Sequence, residues 1–245
     1  GYADDIFILV KGKFANTVMD VFQRSLSIVQ SFCTGVGLSV NPAKTIVIPF
    51  TNKHKLGDLR PPTMYGQSIN FSFEAKYLGV YLDSKLNWNK HMDMILEKAT
   101  RSFWACRSIV GKNWGLKPHM MHWLYEQVIL PRITYGCVVW WNKLQQGNAC
   151  LKLDKLQRMA ELAICGAWRT TPKLALDRVL ELPPLRIRIE AVARSAAYRL
   201  AVNKLWIYDW IFSGHLELNR FLRGNALSIA EADHPICRHV FDKPF

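Results

Sequence analysis

A chain of 245 residues, half of them hydrophobic, has enough apolar material for one large domain or two modest ones, each with its own core. Charged residues make up 21%, which argues against wholesale disorder, and no run of 18 apolar residues occurs that would form a transmembrane helix. The formal net charge of +13 points to an anionic partner, with nucleic acid the usual one.

The charge is unevenly spread. Residues 1–84 carry eight Lys/Arg against six Asp/Glu, whereas residues 85–245 carry 24 against 13, a net of +11. The basic half begins close to Lys85. Six cysteines stand at 33, 106, 137, 150, 165 and 237 without a CxxC pair, and read as reduced, mostly buried thiols of an intracellular protein. His234, Cys237 and His239 have metal-like spacing but lack a second pair of ligands, so no zinc site is expected.

The chain opens on Tyr2-Ala3-Asp4-Asp5, followed by the apolar run Ile6 to Val10, the pattern of a strand covered on both faces. With no Met at its start and nothing before this strand to pair with, the sequence reads as part of a longer protein. Asn16 is placed to cap a helix carrying Val18, Val21, Phe22, Val29 and Phe32, ended by Gly35 and Gly37. Asn41-Pro42 predicts a turn, Ile46 to Ile48 a strand, and residues 51–68 a loop. Ile69 to Phe73 and Tyr77 to Leu82 predict two more short strands.

Beyond Leu86 the pattern turns helical. Asn87 or Asn89 is placed to cap a helix with Met92, Ile95, Leu96, Ala99, Phe103 and Cys106 inward and Lys98, Arg101 and Arg107 mostly outward. Pro118 suits the first turn of a helix to Leu130, which Pro131 should kink or break, and Tyr135 to Trp141 could continue it. Leu151 to Ala167 predicts a helix with Leu153, Leu156, Ala160, Ala163 and Ile164 inward. Thr171-Pro172 opens a short helix, and Leu185 to Trp206 reads as a long one with Arg186, Arg188, Arg194 and Arg199. Past Ser213 the pattern fades into a tail. The fold class is therefore α+β, a partial sheet with a helix followed by a mainly helical part, divided as 1–84, 85–212 and a tail at 213–245.

Adjacent carboxylates repel unless a cation lies near them, so Asp4 and Asp5 before a strand suit a two-metal phosphoryl-transfer site. The plainer reading is an acidic turn. Lys85, Lys90, Lys98, Arg101 and Arg107 are candidates for neutralising phosphates, although each alone is more often a solvated side chain. Trp88, Trp104, Trp114, Trp123, Trp140 and Trp141 read as core rather than as platforms for bases.

Tyr2-Ala3-Asp4-Asp5 resembles the catalytic turn of reverse transcriptases. Gly37-Leu38-Ser39-Val40-Asn41-Pro42-Ala43-Lys44-Thr45 resembles the next palm motif, and Tyr77-Leu78-Gly79-Val80-Tyr81-Leu82-Asp83 the primer-grip hairpin of the non-LTR class. Leu130-Pro131-Arg132-Ile133-Thr134-Tyr135-Gly136, Trp168-Arg169-Thr170-Thr171-Pro172 and Leu182-Pro183-Pro184-Leu185 resemble the region after the thumb in Jockey-like and I-like retrotransposon polymerases. Any one motif is weak, but their order along residues 1–215 is specific.

The resemblance implies an RNA-directed DNA polymerase, with this chain as the last part of the palm, a thumb and a connection. It implies Mg²⁺, with Mn²⁺ as a substitute, on Asp4 and Asp5, and Lys44 as a group that neutralises or protonates pyrophosphate. Tyr77, Leu78, Gly79, Val80, Tyr81 and Leu82 would position the primer end. Implied partners are an RNA template, a DNA primer, their duplex and dNTP, with no membrane; location in nucleus and cytoplasm is implied too. Fingers and a further palm aspartate, together with an endonuclease or RNase H domain of the same polyprotein, are expected elsewhere. The isolated chain is accordingly expected to be inactive. Two alternatives stay open: a relic or repurposed nucleic-acid-binding fragment, and a helical interaction domain, which leaves Asp4-Asp5 and the charge asymmetry unexplained.

Overall fold

The structure is a computed structural model that describes residues 4–51, 59–108, 117–206 and 215–224. Tyr2, Ala3, Trp114 and the His234, Cys237, His239 group lie outside the described residues. The chain divides into two compact units, Gly1–His91 and Met92–Phe245, the division falling inside one helix.

In the first unit, α1 spans Ala15–Gly35. It opens from Phe14 with no side-chain cap, so Asn16 lies inside the helix and does not cap it. Its inward face is Leu26 and Cys33, with Phe22 and Val29 partly buried, while Val21 and Phe32 are exposed. The expected stripe is thus rotated, because tertiary packing and not spacing alone selects the buried edge. α1 also uses polar side chains to hold its neighbour. The Gln23 carboxamide accepts the Thr63 N–H at 2.8 Å and donates to the Thr63 carbonyl at 2.9 Å, and Gln30 accepts the Tyr65 N–H at 2.9 Å. Gln23 and Gln30 are seven apart, two turns on one face.

The strands are short and form two separate antiparallel hairpins. Strands β1 (Thr63–Met64) and β2 (Gln67–Ser68) pair across Tyr65-Gly66, where the sequence read as loop. Strands β3 (Glu74–Tyr77) and β4 (Val80–Asp83) pair Tyr77 with Val80 and Glu74 with Asp83. Both turns have positive φ at each central residue, 49° and 75° at Tyr65-Gly66 and 45° and 82° at Leu78-Gly79. That is the twist of a two-residue turn that matches its strands. The expected single strand Tyr77 to Leu82 is therefore two strand ends and a turn. Of the expected strands at 46–48 and 69–73, only a single parallel bridge between Val47 and Phe71 remains. Leu26, Val47, Met64 and Ile69 make the core, with Ile8, Phe22, Val40 and Phe71 against it.

The run Ile6 to Val10 is not a strand, and Ile6 and Leu9 are 56% and 69% exposed. Only Ile8 reaches the core. The expectation of a strand covered on both faces is corrected: among the described residues no ladder pairs with these five, and an apolar run without partner strands has no pleated surface to be covered.

Helix α2 (Asn89–Ser108) begins the helical part. Met92, Ile95, Ala99 and Phe103 are buried as their spacing predicts. α3 (Pro118–Leu124) carries Pro118 in its first turn, leads into a π-helical turn, Tyr125–Ile129, and continues as α4 (Leu130–Thr134). The helix does not break at Pro131. The wider turn just before it shifts the carbonyl that the pyrrolidine ring would meet and that would lack a donor. Gly136, at φ 59°, ends this stretch, so Cys137–Trp140 is a separate helix, α5, followed by a 3₁₀ segment, Trp141–Gln145. Tyr135 to Trp141 therefore does not continue the helix.

Helix α6 (Gly147–Cys165) stops at Gly166 in the left-handed conformation. Next come α7 (Lys173–Val179), α8 (Leu185–Val202) and α9 (Leu216–Gly224). α6 packs on α3, α7 and α8, and α8 packs on α5 and α9. Residues 216–224, expected as tail, form a helix whose Asn219 accepts the Trp206 indole N–H at 2.7 Å. Trp88, Trp140 and Trp141 are core, but Trp104 and Trp123 are exposed, against expectation. Side chains with the volume of Trp140, Phe103 and Ile189 at 1% exposure or less each contribute roughly 1.5–3 kcal/mol. No described helix is long and apolar enough to cross a membrane.

Candidate catalytic turn and basic helix

Asp4 sits in a turn and Asp5 at a single bridge position, and both are exposed. Phe7, two residues on, lies against the Tyr77 ring with centroids 5.3 Å apart. Two residues of extended chain span at most about 7 Å. The segment that follows the acidic turn therefore packs on the β3–β4 hairpin at Tyr77 within one unit. Tyr77, Val80, Tyr81 and Leu82 are partly buried, while Leu78 and Gly79 stand out at the tip. The Tyr81 N–H donates to His91 Nδ1 at 3.1 Å, and the Lys76 ammonium lies 6.0 Å from the Tyr81 ring.

Lys44 ends a 3₁₀ turn, Pro42–Lys44, and is exposed. The Asn41 side chain accepts the Ala43 N–H at 2.9 Å, and the Thr45 hydroxyl donates to the Asn41 carbonyl at 3.0 Å. Asn41, Pro42 and Thr45 thus shape the turn and leave Lys44 as its outward group. Val40, just before it, shares the core with Ile8.

Asp83 was not singled out by sequence reasoning. One of its carboxylate oxygens accepts the Lys85 and Asn87 N–H groups at 3.1 and 3.0 Å, and the other accepts the Trp88 N–H at 2.9 Å. This holds a turn in which Leu86 and Trp88 have positive φ, 51° and 62°. Strain of that kind persists where surrounding contacts over-determine it. An Asp shortly before a helix with Ser84 next to it is a turn signal, but nothing local shows that it gathers three donors.

All five expected phosphate contacts are exposed. Lys90 pairs with Glu74 at 3.5 Å and Arg101 with Glu97 at 3.2 Å, both among exposed side chains. Arg107 lies over the Trp104 ring at 5.5 Å. Solvent-exposed pairs of this type contribute about 0–1 kcal/mol, so a phosphate can displace them.

Asp4 and Asp5 offer hard oxygen donors of the type Mg²⁺ takes. Among the described residues no group of three or more His, Cys, Asp or Glu could hold a metal ion.

No family model matches the chain. A putative 115 kDa protein of the type-1 retrotransposable element R1DM of Drosophila melanogaster is 24% identical over 214 residues, 86% of this chain and 20% of the relative. The homologues of this chain are retrotransposon proteins. A Pol polyprotein of an R1 element of Nasonia vitripennis is 25% identical over 164 residues, 65% of this chain and 42% of the relative. The RNA-directed DNA polymerase of the mobile element jockey of Drosophila melanogaster is 25% identical over 206 residues, 82% of this chain and 22% of the relative. The retrotransposon polymerase resemblance read in the motifs is borne out. The chain spans about a fifth of the first of these relatives and under half of the second. No solved structure matches.

Proposed function

We propose that the protein this chain belongs to is an RNA-directed DNA polymerase, and that the chain supplies part of the palm together with a basic helical thumb and connection. The observation that supports the reading is the Phe7–Tyr77 contact, which brings the segment following the acidic turn onto the β3–β4 hairpin. A primer end held at Leu78-Gly79 would meet Asp4 and Asp5. Two bound Mg²⁺ ions would activate the attacking hydroxyl and stabilise the leaving group. Asp4 and Asp5 would hold them with a further acid from outside the described residues. Lys44 would neutralise charge on the leaving pyrophosphate. Lys85, Lys90, Lys98, Arg101 and Arg107 would follow the backbone of an RNA/DNA duplex, independently of sequence.

The test is primer extension with template, dNTP and Mg²⁺. The 245-residue chain is expected to incorporate nothing. A longer chain that completes the palm should extend the primer and lose that activity with Asp4→Asn. Full activity in that variant would overturn the assignment of Asp4. Duplex affinity should fall steeply with salt, and Lys90→Glu with Arg101→Glu should lower both affinity and salt slope.

A further inference from the structure

The Trp168-Arg169-Thr170-Thr171-Pro172 run belongs neither to the acidic turn nor to α2. α6 ends at Gly166, whose φ of 66° turns the chain outward. A tight turn follows, closed by the Thr171 N–H on the Trp168 carbonyl at 2.9 Å. The Trp168 side chain is 82% exposed, the most of any large hydrophobic residue described. The Arg158 guanidinium, from the outward side of α6, donates to the Arg169 carbonyl at 2.7 Å, which fixes a cation beside the turn. On α7, Leu174 is 81% exposed, and Arg178 follows it one turn later on the same face.

Three nearby acids are already engaged. Asp154 and Asp177 both face Lys173, and Glu161 is buried against Gln157. Among the described residues no carboxylate pairs with Arg158, Arg169 or Arg178. An outward indole on a turn that carries Arg169 and holds the Arg158 guanidinium, with Arg178 on the adjoining helix, has the chemistry to take an aromatic anion.

We infer that the Trp168 turn is a second nucleic-acid site, taking an unpaired base on the indole face and the adjoining phosphates on Arg158, Arg169 and Arg178. Single strands fit better than duplex because bases inside a duplex already stack on their neighbours and hide both faces. The site depends on the polymerase reading only for the class of ligand. Its residues lie on α6, α7 and the turn between them, outside the α2 residues assigned to duplex.

The experiment uses the whole 245-residue chain and fluorescence anisotropy with a labelled single-stranded oligonucleotide and a duplex of equal length. Trp168→Ala should weaken single-strand binding roughly tenfold while leaving duplex binding within about twofold. Trp168→Phe should restore most of the loss, and Arg169→Glu should flatten the salt dependence of single-strand binding. Since the ring is exposed, unfolding temperatures should match the wild type. Unchanged single-strand affinity in Trp168→Ala overturns the inference, as does an equal loss for single strand and duplex. A change in self-association with binding intact overturns it too, and marks the turn as a protein contact. Lys90→Glu and Arg101→Glu separate this from the α2 reading: a duplex defect there with no effect at Trp168 sinks this site alone.

Discussion

The Gln157 carboxamide oxygen accepts the Leu185 N–H at 2.7 Å, tying the middle of α6 to the first turn of α8 across 28 residues. Its nitrogen donates to Glu161 at 2.8 Å, to Asp177 at 3.0 Å and to the Pro183 carbonyl at 3.3 Å. One buried side chain thus satisfies an unpaired N–H at the start of α8 and fastens the Leu182-Pro183-Pro184-Leu185 stretch.

Removing that side chain should be costly. Gln157→Leu leaves the Leu185 N–H and the Pro183 carbonyl buried without this partner, a loss of about 3 kcal/mol. Urea unfolding followed by circular dichroism reads it as a lower midpoint at unchanged slope. A midpoint within experimental scatter of the wild type would show that water or a shifted backbone replaces Gln157.

The same cluster should make stability depend on pH. Burial, then a hydrogen bond with the Asp177 carboxyl, raises the Glu161 carboxyl from 4.5 to about 7, against the opposing Gln157 hydrogen bond and the Lys173 charge. Tyr125, also buried beside these acids, has its hydroxyl pushed well above the usual range. Between pH 4.5 and 7 the folded chain keeps a proton on Glu161 that the unfolded chain has lost. Stability from this group is therefore greatest below 4.5 and declines as pH rises through 7. Melting temperature measured from pH 5 to 8 should fall, and Glu161→Gln should flatten the slope.

Asp83 organises the entry to α2 through its three backbone acceptances. Asp83→Ala should destabilise by about 1–3 kcal/mol, and Asp83→Asn, which retains one acceptor oxygen, by less. Denaturant titration of both variants tests the order. Equal losses would mean that the second carboxylate oxygen contributes nothing.

The exposed side chains of Ile6 and Leu9 leave apolar surface on a segment that joins no strand ladder among the described residues, a known route to association. Ile6→Lys with Leu9→Lys should raise the monomer fraction in light scattering and leave the melting temperature nearly unchanged, since Ile8 remains in the core. Association unaffected by the double variant would place the sticky surface elsewhere.

Periodicity and punctuation in the sequence by themselves determined the α+β class, the inward faces of α2 and α6 and the helix opening at Pro118. Those features depend on interactions within a few residues, which a linear pattern records. The order of motifs likewise disclosed the retrotransposon kinship and the exposed Asp4-Asp5 turn. Only the tertiary structure decided that Phe7 meets Tyr77, that Asp83 gathers three N–H groups, that Gln157 and Glu161 are core rather than surface, and that Trp168 stands in water while Trp140 does not. Each of these depends on which partner a side chain meets, often dozens of residues away, and side-chain type alone is silent about that. Glu161 shows the difference most clearly: its place on α6 follows from helical spacing, but its raised proton affinity exists because the fold buries it and sets it against Asp177, with Gln157 opposing the shift.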